Sequence, residues 1–294
     1  MHFGIVLNRI KTAIIIGIIF SLLSIVVYYI SYALGFGKYA IVISLGISTL
    51  TSFFSYWNSD KIVIKMNRAY PADPIIHREA FDALNRVCTS AQIETPKLYV
   101  MNDTSPNAFA TGRNPKNAVV CLTTGLIEKL DYYQLEGVIA HEVSHIKNYD
   151  ILLSTVASVM IGVIIMASDL WSRSMWFSSR RRSDDDSGNG IFAIIGLLFI
   201  IIAPIAGQLL RLSLSRNREY LADSTGASFT GNPEGLASAL EIIGGANTPL
   251  KTASKATANM FICDPMYLTK KVSNLFSTHP PISERVRRLR SYSR

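Results

Sequence analysis

The chain has 294 residues, about half of them apolar, with mean hydropathy +0.27 and net charge +8. That hydropathy is high for a soluble domain, and no long polar segment gathers the basic residues, so composition argues against a nucleic-acid partner and for a membrane. Cys88, Cys121 and Cys263 are few and widely spaced. They exclude a disulfide framework or zinc ribbon and read as small buried apolar residues in a reducing compartment.

In chain order, Ile10–Leu34 carries no charge beyond Lys11 at its edge and is long enough to span a bilayer. Tyr39–Trp57 is a second span, and the short "GFGK" between them predicts a hairpin. A cleaved signal peptide fits the first run poorly, because the run is too long and a second span follows at once. Next, "YPADPIIHREAFDALNRVC" predicts a helix with Asp73 as N-cap and Pro74 at its first position. Lys97–Met101 reads as a strand. "NAFATG" (107–112) and "NAVVCLTTGLI" (117–127) read as a strand pair around the turn "GRNPKN". The strand near Ala118–Leu122 has two readings: core packing, or an edge that pairs with an extended substrate through Ala118, Val119 and Val120. Asp131 with Gln134 forms a variant capping box ahead of an amphipathic helix patterned by Leu135, Val138, Ile139, Val143 and Ile146.

Two further apolar runs follow, 151–171 and 191–212, the second kinked at Pro204. The polar loop between them contains "RRRSDDDSGNG" and matches no motif. With four spans, Arg9, Lys11, Lys61, Lys65, Arg68, Lys147, Arg211, Arg216 and Arg218 share one side, which the positive-inside rule makes cytoplasmic. Arg180, Arg181 and Arg182 would then lie outside, so the second pair of runs has an alternative as a hairpin that does not fully cross. The division expected is a membrane hairpin over 1–57, the first part of a catalytic domain over 58–150, a second membrane hairpin over 151–212, and the rest of the catalytic domain over 213–294. The fold class is an α+β membrane protein, mainly helical, with about four transmembrane helices and a catalytic domain carrying a small β-sheet.

The chemistry sits in "HEVSH". His141 and His145 are four apart and share one face of a helix, so two imidazoles can grip one metal ion. A catalytic zinc takes three protein ligands and keeps a position for water. Glu142 lies round the helix from the histidines and suits a general base for peptide hydrolysis. A third ligand is sought in "SRNREYLADSTGA", where Glu219 and Asp223 are four apart. Glu219 reads as a ligand and Asp223 as the acceptor of a ligand histidine's N–H. The competing reading is a solvated helix with its charges paired along it. A two-span excursion between the two helices returns them to the same membrane face and favours the metal reading.

"HEVSHIKNYD", "SRNREYLAD" and "STHPPISERVRRL" together resemble the HtpX family of membrane-bound zinc metalloproteases, which belongs to a wider group that includes the CAAX prenyl proteases. The resemblance covers nearly the whole chain. It implies a zincin-like domain of gluzincin type, one zinc per chain on His141, His145 and Glu219, and Glu142 as general base. It also implies a hydrolase of the membrane, a metalloendopeptidase acting on membrane or misfolded proteins in quality control and the stress response. His279 and Arg285 match the family's terminal segment and divide between steadying the oxyanion and plain packing. Arg287, Arg288 and Arg290 read as a solvated face or a contact with anionic headgroups. A structural metal in a scaffold or sensor, and a transporter, are the alternatives outside the enzyme class. A prenyl-type CAAX protease is the alternative within it. The spans hold too few ionisable residues for a transporter, and four spans are too few for a large intramembrane chamber.

Overall fold

A computed structural model describes residues 2–159, 161–162, 216–246, 248–254, 256–263, 265 and 279–292. The 191–212 run and the "RRRSDDDSGNG" loop lie outside the described residues, as does 151–171 beyond 162. Helix α1 (His2–Ser31) turns back through a kink into α2 (Ala40–Trp57). Gly35 takes φ +88° inside the kink, a value other residues rarely adopt, so the expected hairpin turn needs this glycine. Small side chains of α2 at Ala40, Ser44, Ser48 and Ser55 are buried. Among the described residues one helical stretch, Gly37–Trp57, is long and apolar enough to cross a membrane; Ile16–Ser31 is apolar but shorter. The third apolar run starts as α7 (Asp150–Val159), and its Leu153 and Val156 pack with Ile19 of α1 and Tyr56 of α2.

Between these helices, α3 (Ser59–Met66) leads to a four-stranded mixed sheet. The strands are β1 (Tyr70–Pro71), β2 (Lys97–Met101), β3 (Ala108–Gly112) and β4 (Ala118–Thr123), in spatial order β1-β2-β4-β3. β2 and β4 run parallel, and β3 and β4 pair antiparallel around the "GRNPKN" turn as expected. The edge-strand reading of Ala118, Val119 and Val120 is corrected here. β4 is central, with both edges paired, and it buries both faces. Ala118, Val120 and Leu122 enter the larger core, while Val119 and Cys121 enter a second core with Val63, Met101, Phe109 and Phe261. A run apolar at every position is what a doubly buried strand requires. The strand stops at Thr123, because the Thr123 hydroxyl accepts the Leu126 N–H and caps a short helix, α5 (Thr124–Lys129). Residues 124–127 are therefore helical rather than extended.

Helix α4 (Arg78–Ala91) begins one turn later than its sequence suggests. Asp73 Oδ1 accepts the Ile75 and Ile76 N–H groups and closes an isolated turn, so Asp73 caps that turn and not the helix. The capping box forms as expected on α6 (Tyr132–Lys147): Asp131 accepts from Gln134 N at 2.9 Å, and Gln134 accepts from Asp131 N at 3.1 Å. α6 runs through the middle of the domain against α4, β3, α8 (Arg216–Thr230) and α9 (Pro233–Gly245). Arg86 of α4 reaches the buried Glu136 of α6 at 3.1 Å. The last helix is α10 (Ile282–Ser291). The three cysteines are free, and Cys88 and Cys121 are buried.

Candidate metal centre

α6 and α8 meet at the two histidines. The contact depends on Gly226, where a Cβ would sit 3.0 Å from the main chain at Ala140 and His141. With no side chain there, the α8 face carrying Glu219, Asp223 and Gly226 lies directly on α6. His141 Nε2 is then 3.7 Å from Glu219 Oε2, and His145 Nε2 is 3.5 Å from Glu219 Oε1. The two Nε2 atoms are 3.2 Å apart. One ligand atom from each of His141, His145 and Glu219 falls within 4.8 Å of the others. Glu219 and Asp223 are almost fully buried, which removes the solvated-helix reading of this segment.

Each histidine is turned by its own carboxylate. His141 Nδ1 lies 3.0 Å from Asp223 Oδ1, and His145 Nδ1 lies 3.2 Å from Asp150 Oδ2. An Nδ1–H donated to a carboxylate leaves Nε2 as the lone pair. Two such lone pairs and a carboxylate facing one another need a cation between them, so the residues fit a metal. Asp150 closes the "HEVSHIKNYD" stretch, and its signal was a carboxylate five residues past the second histidine. The turn that delivers it passes through Tyr149 in the left-handed region, at φ 60°. Arg218 Nη1 stands 3.6 Å from Asp150 Oδ1.

The terminal segment also reaches the site. Arg285 is fully buried and grips Asp223 with two bonds, Nη2 at 2.7 Å and Nε at 2.9 Å, while Nη1 donates to Ile262 O at 3.1 Å. Two of its nitrogens hold Asp223 and the third holds the Ile262 carbonyl. His279 Nδ1 is 3.0 Å from Glu219 Oε2. The other arginines of α10 bind carboxylates on the exposed surface: Arg287 and Arg288 hold Glu284, and Arg290 holds Glu234 and Glu241. That is the solvated-face reading.

A cavity of about 40 Å³ joins these groups, lined by His141, Glu142, His145, Glu219 and His279 together with Ala110 and Asn259–Ile262. That volume holds an ion and a water but not a peptide. Arg285 is not part of its lining, and neither are Ala118, Val119 and Val120. The strand that borders it is β3. Phe261 bridges Phe109 of that strand, and Ile262 N donates to Ala108 O at 2.9 Å. Burial pushes the Glu142 carboxyl up to about 7, with the negative charge of Glu219 adding to the effect. Burial also opposes charge on the histidines and lowers His141 to about 4. At His145 it is outweighed by Asp150 and Glu219, which raise the ring to about 9.

Residues 77–293 match the sequence profile of Peptidase family M48. The chain is 45% identical over 283 residues to a Protease HtpX homolog of Dictyoglomus thermophilum, covering 96% of this chain and 92% of that one. It is 45% identical over 278 residues to a Protease HtpX homolog of Caldanaerobacter subterraneus subsp. tengcongensis, covering 93% and 92%. A third, from Thermococcus sibiricus, is 43% identical over 279 residues, covering 93% and 94%. Among solved structures, the crystal structure of S. mikatae Ste24p superposes with a TM-score of 0.50 at 16% identity, covering 98% of this chain and 67% of that chain. At that identity the likeness concerns the fold alone.

Proposed function

The chain belongs to peptidase family M48 and is a membrane metalloprotease, and from that premise we propose that it is a zinc endopeptidase cleaving membrane or misfolded proteins at the cytoplasmic face, in quality control. The observation that carries the reading is the convergence of His141, His145 and Glu219 around one point, beside a buried Glu142. Zinc is favoured because two imidazoles and a carboxylate, with room left for a water, are a catalytic zinc's donor set. When bound, it supplies Lewis acidity toward a water and toward the scissile carbonyl. Glu142 removes the proton from the attacking water and returns it to the leaving amine, a task suited by its position near neutrality. His279 lines the cavity and is the residue placed to donate to the developing oxyanion. Arg285 acts through Asp223 by fixing the His141 ring. A substrate has to widen the cavity beside β3.

Four spans over 1–57 and 151–212, with the two catalytic parts returning to one face, complete this reading. The start of α7 against the first hairpin supports it. The test is reconstitution of the full chain with zinc in lipid vesicles, alongside a single-span reporter in folded and destabilised versions. Selective cleavage of the destabilised version on the side carrying Lys61 and Lys65 is expected. Equal cleavage of both versions, or cleavage on the opposite side only, would remove the quality-control and orientation claims.

A pH dependence follows from the histidine pair. Without metal, the pair shares a proton below about 9, and a metal must expel it. Zinc affinity is therefore expected to fall about tenfold for each pH unit between 9 and 7, with roughly one proton released per ion at neutral pH. Titration calorimetry in buffers of different ionisation heat reads both quantities. A flat affinity across that window would contradict the assignment.

A further inference from the structure

Asn259 sits in the wall of the cavity that holds the histidines. It is 6% exposed. Its Oδ1 accepts the Ser158 hydroxyl at 3.1 Å, which holds one end of the carboxamide. Its Nδ2 is buried and makes no hydrogen bond among the described residues. A buried amide N–H left unmade is costly, and native structures seldom keep one without a use for it.

The position of this donor says what it would meet. α7 forms the wall on that side. Asp150 at its start holds His145, and Ile151 and Ser154 line the cavity. Ser158 follows on the same side, about 12 Å beyond Asp150 at about 1.5 Å of rise per residue. An extended polypeptide covers that distance in about three or four residues. The turn carrying Asn259, Ala258–Met260, is itself anchored. The Thr257 hydroxyl bonds Asn67 Oδ1 at 2.8 Å, and Ser254 N bonds the same oxygen at 3.2 Å. The free N–H is thus held steady in the wall of the cavity, on the side where α7 carries the chain away from His145.

We propose that Asn259 is a substrate-positioning residue: its Nδ2–H donates to one main-chain carbonyl of the bound polypeptide, a few residues from the scissile bond. This rests on the endopeptidase reading. The ligand is backbone, so the contact sets register and length preference rather than side-chain preference. It also requires a substrate that extends past the cleaved bond on that side.

The experiment is a carbonyl scan. The zinc-loaded full chain is given a single-site peptide, long on both sides of the bond, and then versions with one backbone carbonyl at a time reduced to a methylene. The wild type is expected to lose roughly 3- to 10-fold in kcat/KM, mainly through KM, at one remote position. In Asn259→Leu the unmodified peptide shows that same loss, reduction at that position has no further effect, and zinc content is unchanged. If Asn259→Leu does not fold, Ser158→Ala, which frees the carboxamide to rotate, should weaken the same position in part. Equal sensitivity of wild type and variant at every position would overturn the proposal. Cleavage of the unmodified peptide by the wild type reports separately on the endopeptidase reading, and its absence would remove both.

Discussion

Replacing Glu142 by Gln is expected to lower kcat by about 10² to 10⁴-fold while zinc content stays at one ion per chain. The change keeps the shape of the side chain and removes its capacity to take a proton. Glu142 is not among the residues grouped around the metal position, so affinity for the ion should barely move. Glu142 is buried beside Ala110 in a cavity that holds an ion and a water, which leaves little room for a substitute base. Steady-state cleavage of casein with metal analysis of the same sample reads both halves. Undiminished turnover would mean that the base is elsewhere. Loss of zinc together with activity would mean that Glu142 belongs to the ligand set.

Glu219→Ala should act in the opposite order, with the ion lost first. If a four-coordinate protein zinc site binds with about 10–16 kcal/mol, one ligand is worth roughly 3–4 kcal/mol, or about 10² to 10³-fold in affinity. Asp223→Asn, which loosens the His141 ring, should cost about 10 to 100-fold. It also strands the Arg285 charge in the core, so thermal stability should fall with it. Competition against a chromophoric chelator gives the affinities, and the order Glu219 before Asp223 before wild type is the expected result. Equal affinity for Glu219→Ala and wild type would place the third ligand elsewhere.

Much of the site could be read from the chain because its parts are periodic. Two histidines and a glutamate on one helix, and a glutamate and an aspartate on another, advertise their faces through spacing. The reading of α8 still needed the idea that an excursion into lipid brings its two ends back together. The transporter alternative fell on the scarcity of ionisable residues in the spans, whereas the structural-metal alternative is separated from the enzyme by the Glu142 variant. What spacing did not show was contact made by turns. Asp150 reaches His145 only because Tyr149 takes a left-handed conformation. Asn259 and Ile262 enter the site from an irregular segment with no period. The sheet order was equally hidden. Nothing local tells β4 that β2, parallel and earlier in the chain, will take the edge that an extended substrate was expected to use. Its unbroken apolar run was the available clue, and it favoured the core. Asp73 looked like a helix cap because an aspartate before proline caps an isolated turn and a helix by the same bonds.

The function proposed above depends on a single zinc held by two imidazoles and one carboxylate. X-ray absorption at the zinc edge of the purified full-length protein tests it most directly. The expected spectrum shows a first shell of nitrogen and oxygen alone, at about 2.0–2.2 Å, with two imidazole rings in the outer scattering. A sulfur shell at about 2.3 Å, the mark of ligation by Cys121 or Cys263, would contradict it.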